Sequence, residues 1–336
     1  MKVLAAMSGG VDSSVAAALL VEEGHDVTGV TLRLWDNPTD AGCCSVAEID
    51  DARCVAHVLG IDHLVWTFTE EFDARVVAPY AAAHAEGLTP NPCIECNRHL
   101  KFGRLLRRAR QLGFDAVATG HHARIVDGRL LRGADLLKDQ SYVLYVLGQD
   151  ELAQCRFPVG VMTKAEVRAK AAALGLPTAD KPDSQDVCFV TTSGGREALL
   201  ASRIPLHPGR VVDTAGADVG HVDALELVTV GQRRGLGTGG GAKRYAISVD
   251  AVTRTVVVGD AGDLLSRSVR LTQLCWVRQP VEGPVGVQTS AHGDAVAGAF
   301  AGATVTFAES QRRVAPGQSV VLYRGDEVLG GGMAIE

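Results

Sequence analysis

No apolar run in this sequence approaches the roughly 18 residues that a bilayer-spanning helix needs. The first seven residues, Met1 to Met7, are too short for a signal peptide and carry no cleavage signature. A cytoplasmic protein with no membrane partner is therefore expected. The 38 glycines follow no three-residue period, which excludes a collagen-like chain. There is no excess of positive charge either. The formal net charge is −6, so a nucleic-acid partner would have to be met by a local basic patch. Internal repeats and long low-complexity tracts are absent.

What is present is ordinary globular composition, 46% hydrophobic and 21% charged over 336 residues. That length suits about two domains with room for a small third. A chain of this size buries its cores without disulfide staples. The eight cysteines are then read for chemistry or metal before scaffolding.

The first half alternates strand and helix patterns. Apolar runs at 2–7, 27–34, 62–68 and 114–119 read as strands, and 13–23, 46–59, 70–86 and 97–112 read as helices. This alternation predicts a parallel α/β sheet, with ligands beyond the carboxyl ends of its strands. Asp127-Gly128 is a turn dipeptide between strand-like arms. Thr163-Lys164-Ala165-Glu166 is a capping box, and the helix it opens ends before Gly175 and Pro177. After about residue 200 short β-rich runs replace the helices, at 209–213, 226–231, 244–249, 254–259, 268–277, 303–308 and 318–324. They predict one or two small β domains, barrels among the candidates. Gly235 to Gly241 holds five glycines in seven residues and reads as a mobile loop. The expected division is a catalytic α/β domain at 1–200, a central β-rich domain at 201–262 and a C-terminal barrel-like domain at 263–336.

Ser8-Gly9-Gly10-Val11-Asp12-Ser13-Ser14 lies between a strand and a helix. Its glycines admit close backbone approach and present N–H groups, and the helix start adds a positive dipole end. The result suits a pyrophosphate. It is neither a Walker A loop, which needs Gly-Lys-Ser/Thr, nor a Gly-x-Gly-x-x-Gly dinucleotide turn. Taken alone, Gly-Gly equally suits a plain strand–helix turn.

Thr89-Pro90-Asn91-Pro92-Cys93-Ile94-Glu95-Cys96-Asn97 is the second constellation. Read as the residue that opens the 97–112 helix, Cys96 gains thiolate stabilisation from the dipole and from Arg98 and Lys101. The same Cys-x-x-Cys is half a zinc site or a redox pair. His99 and Cys188 are the available further ligands, since no second Cys-x-x-Cys exists. Cys188 follows a polar turn-forming stretch, where an exposed thiol and a packed one are both open readings. Cys43, Cys44, Cys54, Cys155 and Cys275 read as structural.

The phosphate-loop string resembles the signature of the PP-loop ATP pyrophosphatases. Read in order with Thr-Pro-Asn-Pro-x-x-x-Cys-Asn, Ala-Thr-Gly-His-His, Lys-Asp-Gln-Ser-Tyr and Asp-Ser-Gln-x-x-Cys-Phe, it resembles the bacterial tRNA-specific 2-thiouridylases over residues 6–189. The β-rich tail fits that family's remaining domains. The resemblance implies that Ala6, Met7, Ser8, Gly9, Gly10, Val11, Asp12 and Ser13 cradle ATP, with Asp12 assisting through Mg²⁺ and Leu32 and Gly120 bordering the adenine and ribose. It implies ATP-dependent adenylation and 2-thiolation of the wobble uridine in tRNAs for Lys, Glu and Gln. Cys188 would carry a persulfide and Cys96 would be the partner nucleophile, joined in a transient disulfide. A persulfide donor upstream, a sulfur-relay protein or a cysteine desulfurase, follows from the same chemistry. Some family members carry Asp where this chain has Cys93, which favours Cys96 as the nucleophile. A rival within the same enzyme is a [4Fe-4S] cluster on Cys93, Cys96 and Cys188.

For the RNA, the resemblance implies that Asn91, Pro92 and Cys93 line a flipped-out base. It also assigns tRNA contacts to His121 and to Lys138, Asp139 and Gln140. Arg98, Lys101, Arg104, Arg107, Arg108 and Arg110 form a basic run without an acid, on a helix whose apolar stripe is Leu100, Leu105, Ala109 and Leu112. A solvated face explains such a run as well as phosphate contact does. Gln318, Gln311-Arg312-Arg313 and Arg233-Arg234 are further candidates. Two readings from other classes compete: a PP-loop ligase of a small molecule, which has no use for Cys96 and Cys188, and a metal-bearing RNA-binding regulator, which leaves the phosphate loop unexplained.

Overall fold

The computed structural model describes residues 1–35, 45–183, 187–239 and 243–335. Cys43 and Cys44 lie outside them, as do Ser184 to Asp186 and the 240–241 part of the glycine-rich run. Among the described residues no helix is long and apolar enough to cross a membrane.

Apolar Val3 and Leu4 sit at the centre of β1 (Lys2–Ala6), fully buried. β1 pairs in parallel with β2 (Asp26–Arg33) on one side and β4 (Ala116–Ala118) on the other. With β3 (Asp62–Thr67) and β5 (Cys155–Arg156) the five strands run in the order β3-β2-β1-β4-β5. Near-continuous apolar strands of this kind need cover on both faces. One face is covered by α1 (Val11–Glu22) and α2 (Val46–Leu59), whose buried Val15, Ala16, Leu20, Ala52 and Val55 pack on Val3 and Ala5. The other is covered by the helices of residues 69–111, through Phe72, Val76, Leu100 and Leu105. Ser45 caps α2 through Glu48 N, and Gly60 ends it at φ +66°. The box at Thr163 forms as read, with Glu166 reaching back to Thr163 N at 2.7 Å.

Several expectations need correction. The helix containing Cys96 opens earlier than expected, at Pro92 behind the N-cap Asn91, because proline at N1 and an Asn cap are a helix start in their own right. From Cys96 to Arg104 it widens to π-helical bonding. Leu112 leaves the apolar stripe and is exposed, at the residue where the helix ends. Cys54 is exposed rather than packed. Residues 226–231 form no strand. Leu225–Leu227 is a 3-10 turn that buries Glu226, whose carboxylate receives His207 N and Nδ1.

The β-rich half forms two units. Residues 209–259 give a four-stranded sheet. Six strands from Leu265 to Ile335 close into an antiparallel barrel, the first (Leu265–Trp276) pairing with the last (Glu327–Ile335). The Asp127-Gly128 hairpin, strands Ala123–Val126 and Arg129–Arg132, forms as read but adds to the barrel, through Leu131 opposite Glu327. One core spans the junction, with Ile94, Phe102 and Leu130 beside Val277, Val321 and Tyr323. Tyr142 Oη donates to Ser319 O at 2.7 Å inside it. Burial pushes that phenol above the usual tyrosine range, so it stays a donor.

Tyr142→Phe therefore strands a buried carbonyl between the domains. The expected cost is about 1–2 kcal/mol, read as an earlier unfolding midpoint in denaturant. An unchanged midpoint contradicts this role.

Candidate active site

The strand order reverses direction between β1 and β4, the place where open parallel sheets take their ligands. Two segments meet there. One is the 7–13 loop, and the other is the Thr119–His122 turn. A Cβ on Gly120 would stand 2.6 Å from Ser13 N and 2.7 Å from Asp12 C, so only glycine lets the turn lie on the start of α1. Gly9 has φ +74°, and a Cβ there would meet Glu48 O at 2.5 Å. The loop is thus pressed between α2 and β4. Its own side chains shape it: Ser8 N donates to Ser13 Oγ (3.1 Å), and Ser13 and Ser14 Oγ both donate to Gly10 O. Thr31 Oγ1 holds Met7 O at 2.7 Å. Gly10 is the N-cap and supplies no side chain to the first-turn amides of α1, which are left to face an anion. Ala6 is half-buried, and Leu32 is buried in the core cluster that Ala6 packs against.

Asp12 stands at the mouth of this loop inside a charge network that the motifs do not reveal. Its carboxylate receives Lys164 Nζ at 2.7 and 2.8 Å and faces His122 Nε2 at 3.1 Å. Burial raises its pKa, yet the hydrogen bonds of His122 and Lys164 bring it below the ordinary carboxylate value. Lys164 Nζ also lies 2.9 Å from Asp183 Oδ1, which Arg168 binds at 2.7 Å, while Lys138 binds Asp183 Oδ2 at 2.7 Å. Burial opposes ionisation of Asp183 as well, but Lys138 and Lys164 hold it down at about 2. Lys181 Nζ reaches Gly9 O at 3.0 Å and Asp51 at 2.7 Å. His122, Lys164 and Lys181 carried no reading of their own in the sequence. The doubled His in Ala-Thr-Gly-His-His was the one available signal for His122.

Cys93 is exposed at the second position of its helix, its N–H bound by Asn91 Oδ1 at 3.0 Å. The dipole argument made for Cys96 therefore passes to Cys93, because the field falls off within one turn. Cys96, one turn in, begins the π-helical stretch, a distortion frequent at functional sites. Cys96 and Cys188 are both half-buried, and both pack against the cluster of Leu32, Leu34, Phe72, Tyr80 and Phe189. Ala6 borders the same cluster. The end of β1 and the two thiols thus border one core, while Met7 and Val11 of the loop pack in the cluster on the other face of the sheet. Among the described residues no three His, Cys, Asp or Glu side chains assemble as a group that could hold a metal ion.

The other candidates divide. Thr89 N donates to Pro316 O at 2.7 Å, which brings Asn91, Pro92 and Cys93 to the barrel turn carrying Gln318. Gln318 is half-buried and accepts from Ala315 N. Asp139 organises its own loop, receiving Arg132, Gly133 N and Ser141. Gln140 is exposed and accepts from His122 N. His121 is buried between Phe102 and Phe157, with Nδ1 at 2.7 Å from Thr119 Oγ1. Burial, Lys101 and His122 push its pKa well below the usual value, leaving it neutral. In the basic run, Arg98 pairs with Glu95 and Arg104 with Glu71, while Arg108 stacks on Trp66. Arg107 is exposed. The run is therefore partly neutralised by acids from outside it.

Comparison with known proteins places this geometry. The family model described as a tRNA methyl transferase HUP domain matches residues 1–192, and companion models for a PRC-barrel domain and an aminomethyltransferase beta-barrel domain match 197–260 and 267–334. The tRNA-specific 2-thiouridylase MnmA of Chloroflexus aurantiacus (strain ATCC 29366 / DSM 635 / J-10-fl) is 47% identical over 348 residues, covering 98% of this chain and 97% of that one. The chain belongs to the tRNA-specific 2-thiouridylase family. The namesake from Cutibacterium acnes is 48% identical over 349 residues, covering 98% of this chain and 95% of its own. Among solved structures, the U34-tRNA thiolase NcsA from Methanococcus maripaludis with its [4Fe-4S] cluster overlays at TM-score 0.36 and 20% identity, over 59% of this chain and 63% of that one. At that level it lends the 2-thiouridylase site no detail.

The paired carboxylates set a pH dependence. Asp183 is lowered to about 2 when folded, against about 3.9 unfolded. Its contribution to stability is then present above the unfolded value and lost as pH falls through the folded one. The difference in unfolding free energy between wild type and Asp183→Asn should be constant above about pH 5 and shrink from about pH 4 downward. A difference flat across that window contradicts the pairing.

Proposed function

We propose that this chain replaces the 2-oxygen of the wobble uridine of tRNA by sulfur, using ATP for activation and a cysteine persulfide for delivery. The observation that supports the reading is a shared core: Ala6, which ends β1 just ahead of the phosphate loop, packs on the same cluster as Cys96 and Cys188.

Uridine O2 is a poor leaving group until it is esterified. In this reading O2 attacks the α-phosphate of ATP, pyrophosphate departs, and the 2-position carries AMP. The first-turn amides of α1 and the Ser8–Ser13 frame bind the phosphates, and Leu32 and Gly120 border the nucleoside. Asp12 is ionised and 31% exposed, an oxygen donor that fits Mg²⁺. The ion would supply neutralisation of the polyphosphate charge. The terminal sulfur of a Cys188 persulfide then attacks C2 and AMP leaves. Cys96 thiolate attacks Cys188 Sγ, which breaks the S–S bond and leaves the new sulfur on the uridine. A Cys96–Cys188 disulfide results, and a two-electron dithiol reductant resets it. Asn91 to Cys93, with Gln318 across the Thr89–Pro316 contact, form the wall proposed for the base, and Lys138 to Gln140 the adjoining tRNA contact. A persulfide-bearing protein reloads Cys188.

Cys96→Ser and Cys188→Ser should each abolish 2-thiouridine, scored by nucleoside mass spectrometry. Both should retain tRNA-dependent ATP–pyrophosphate exchange near the wild-type rate. Thiolation that survives both substitutions refutes the relay. Exchange lost with either thiol places the cysteine in activation instead.

A further inference from the structure

The network around Asp12 reaches beyond the phosphate loop. Lys164 Nζ contacts both oxygens of Asp12 and one of Asp183, and its side chain is only 12% exposed. Asp12 belongs to the loop, whereas Asp183 stands five residues ahead of Cys188 in the chain. The backbone around Lys164 is itself fixed, because Lys164 N donates to Asp135 Oδ2 at 3.0 Å and Thr163 and Glu166 close the capping box. The segment before Cys188 has a second tie, Lys181 to Gly9 O. Two carboxylates and one buried ammonium therefore join the phosphate loop to the 181–183 segment that precedes Cys188 in the chain.

A polyphosphate seated on α1 brings anionic oxygens beside Asp12. Lys164 Nζ, already lying on both Asp12 oxygens, then faces those anionic oxygens too, alongside any Mg²⁺ that Asp12 would hold. Any turn of Lys164 toward the phosphate is made at the expense of Asp183, which Lys138 and Arg168 still hold. We infer that Lys164 is a positioning residue that couples nucleotide occupancy of the phosphate loop to the presentation of Cys188, through its shared contact with Asp12 and Asp183. This rests on the ATP reading of the loop.

The test follows Cys188 directly. Full-length protein is labelled with iodoacetamide with and without a non-hydrolysable ATP analogue, and Cys188 alkylation is timed by peptide mass spectrometry. Nucleotide affinity is measured in parallel. In wild type the analogue should change the Cys188 labelling rate severalfold. Lys164→Met should abolish that change at saturating analogue and weaken analogue binding about tenfold or more. Lys164→Arg should restore most of both. Asp183→Asn, which leaves the loop untouched, should abolish the change while keeping affinity within about twofold. This variant carries the test if Lys164→Met fails to fold. A labelling change of wild-type size in Lys164→Met or Asp183→Asn overturns the inference, and so does its absence in wild type that binds the analogue. Failure of the wild type to bind any adenine nucleotide instead removes the ATP reading, and this inference with it.

Discussion

The parallel pairing of β1 between β2 and β4 is the constraint on which everything else depends. Ala6 opposite Val30, and Ala5 opposite Ala118, bring the carboxyl ends of three strands to one edge. That edge holds the phosphate loop, Leu32 and the Thr119–His122 turn. A one-residue slip would turn β1's buried side chains to the wrong face and break the cradle. Gly9 and Gly120 then matter because α2 presses on the loop, and the turn after β4 on the start of α1, so closely that no Cβ fits. Close backbone packing creates the anion site, and the charged side chains are arranged around it.

The barrel is fixed to the α/β domain by the same kind of close packing. It shares a core with the α/β domain through Ile94, Phe102 and Tyr323, and it takes the 123–132 hairpin into its own sheet. Arg132 links the two by binding Asp139 and Gln288 and lying 3.8 Å over the Tyr323 ring. The Thr89–Pro316 hydrogen bond sets the barrel rim against the Asn91–Cys93 segment.

Much of this was legible locally. The loop, α2, the Thr163 capping box and the Asp127-Gly128 turn are signalled by neighbouring residues, and they form as read. What failed was set by distant partners. The strand Glu327–Ile335 holds Gly330, Gly331 and Gly332 and is not among the runs read as strands, yet the closing barrel needs those glycines where the Cys275, Val320 and Thr272 backbones crowd in. Strands Gly283–Gln288 and Val296–Ala301 are rich in small residues and gave no β signal. The apolar 226–231 run bends into a turn because Glu226 is claimed by His207. Cys96, Cys188 and the loop were legible through ordered motifs. The Lys164 bridge was not, since the contact of Lys164 with Asp12, 152 positions away, and its shared contact with Asp183 are tertiary facts.

The central claim is that sulfur carried on Cys188 reaches a uridine activated at the phosphate loop. The most direct measurement is a single turnover with iron-free, anaerobic protein preloaded at Cys188 with a ³⁴S persulfide, given unmodified tRNA and Mg-ATP and no other sulfur. The account predicts ³⁴S-labelled 2-thiouridine at the wobble position, at no more than one per preloaded protein and only when ATP is present. Unlabelled tRNA from protein that turns over only after iron–sulfur reconstitution would contradict it.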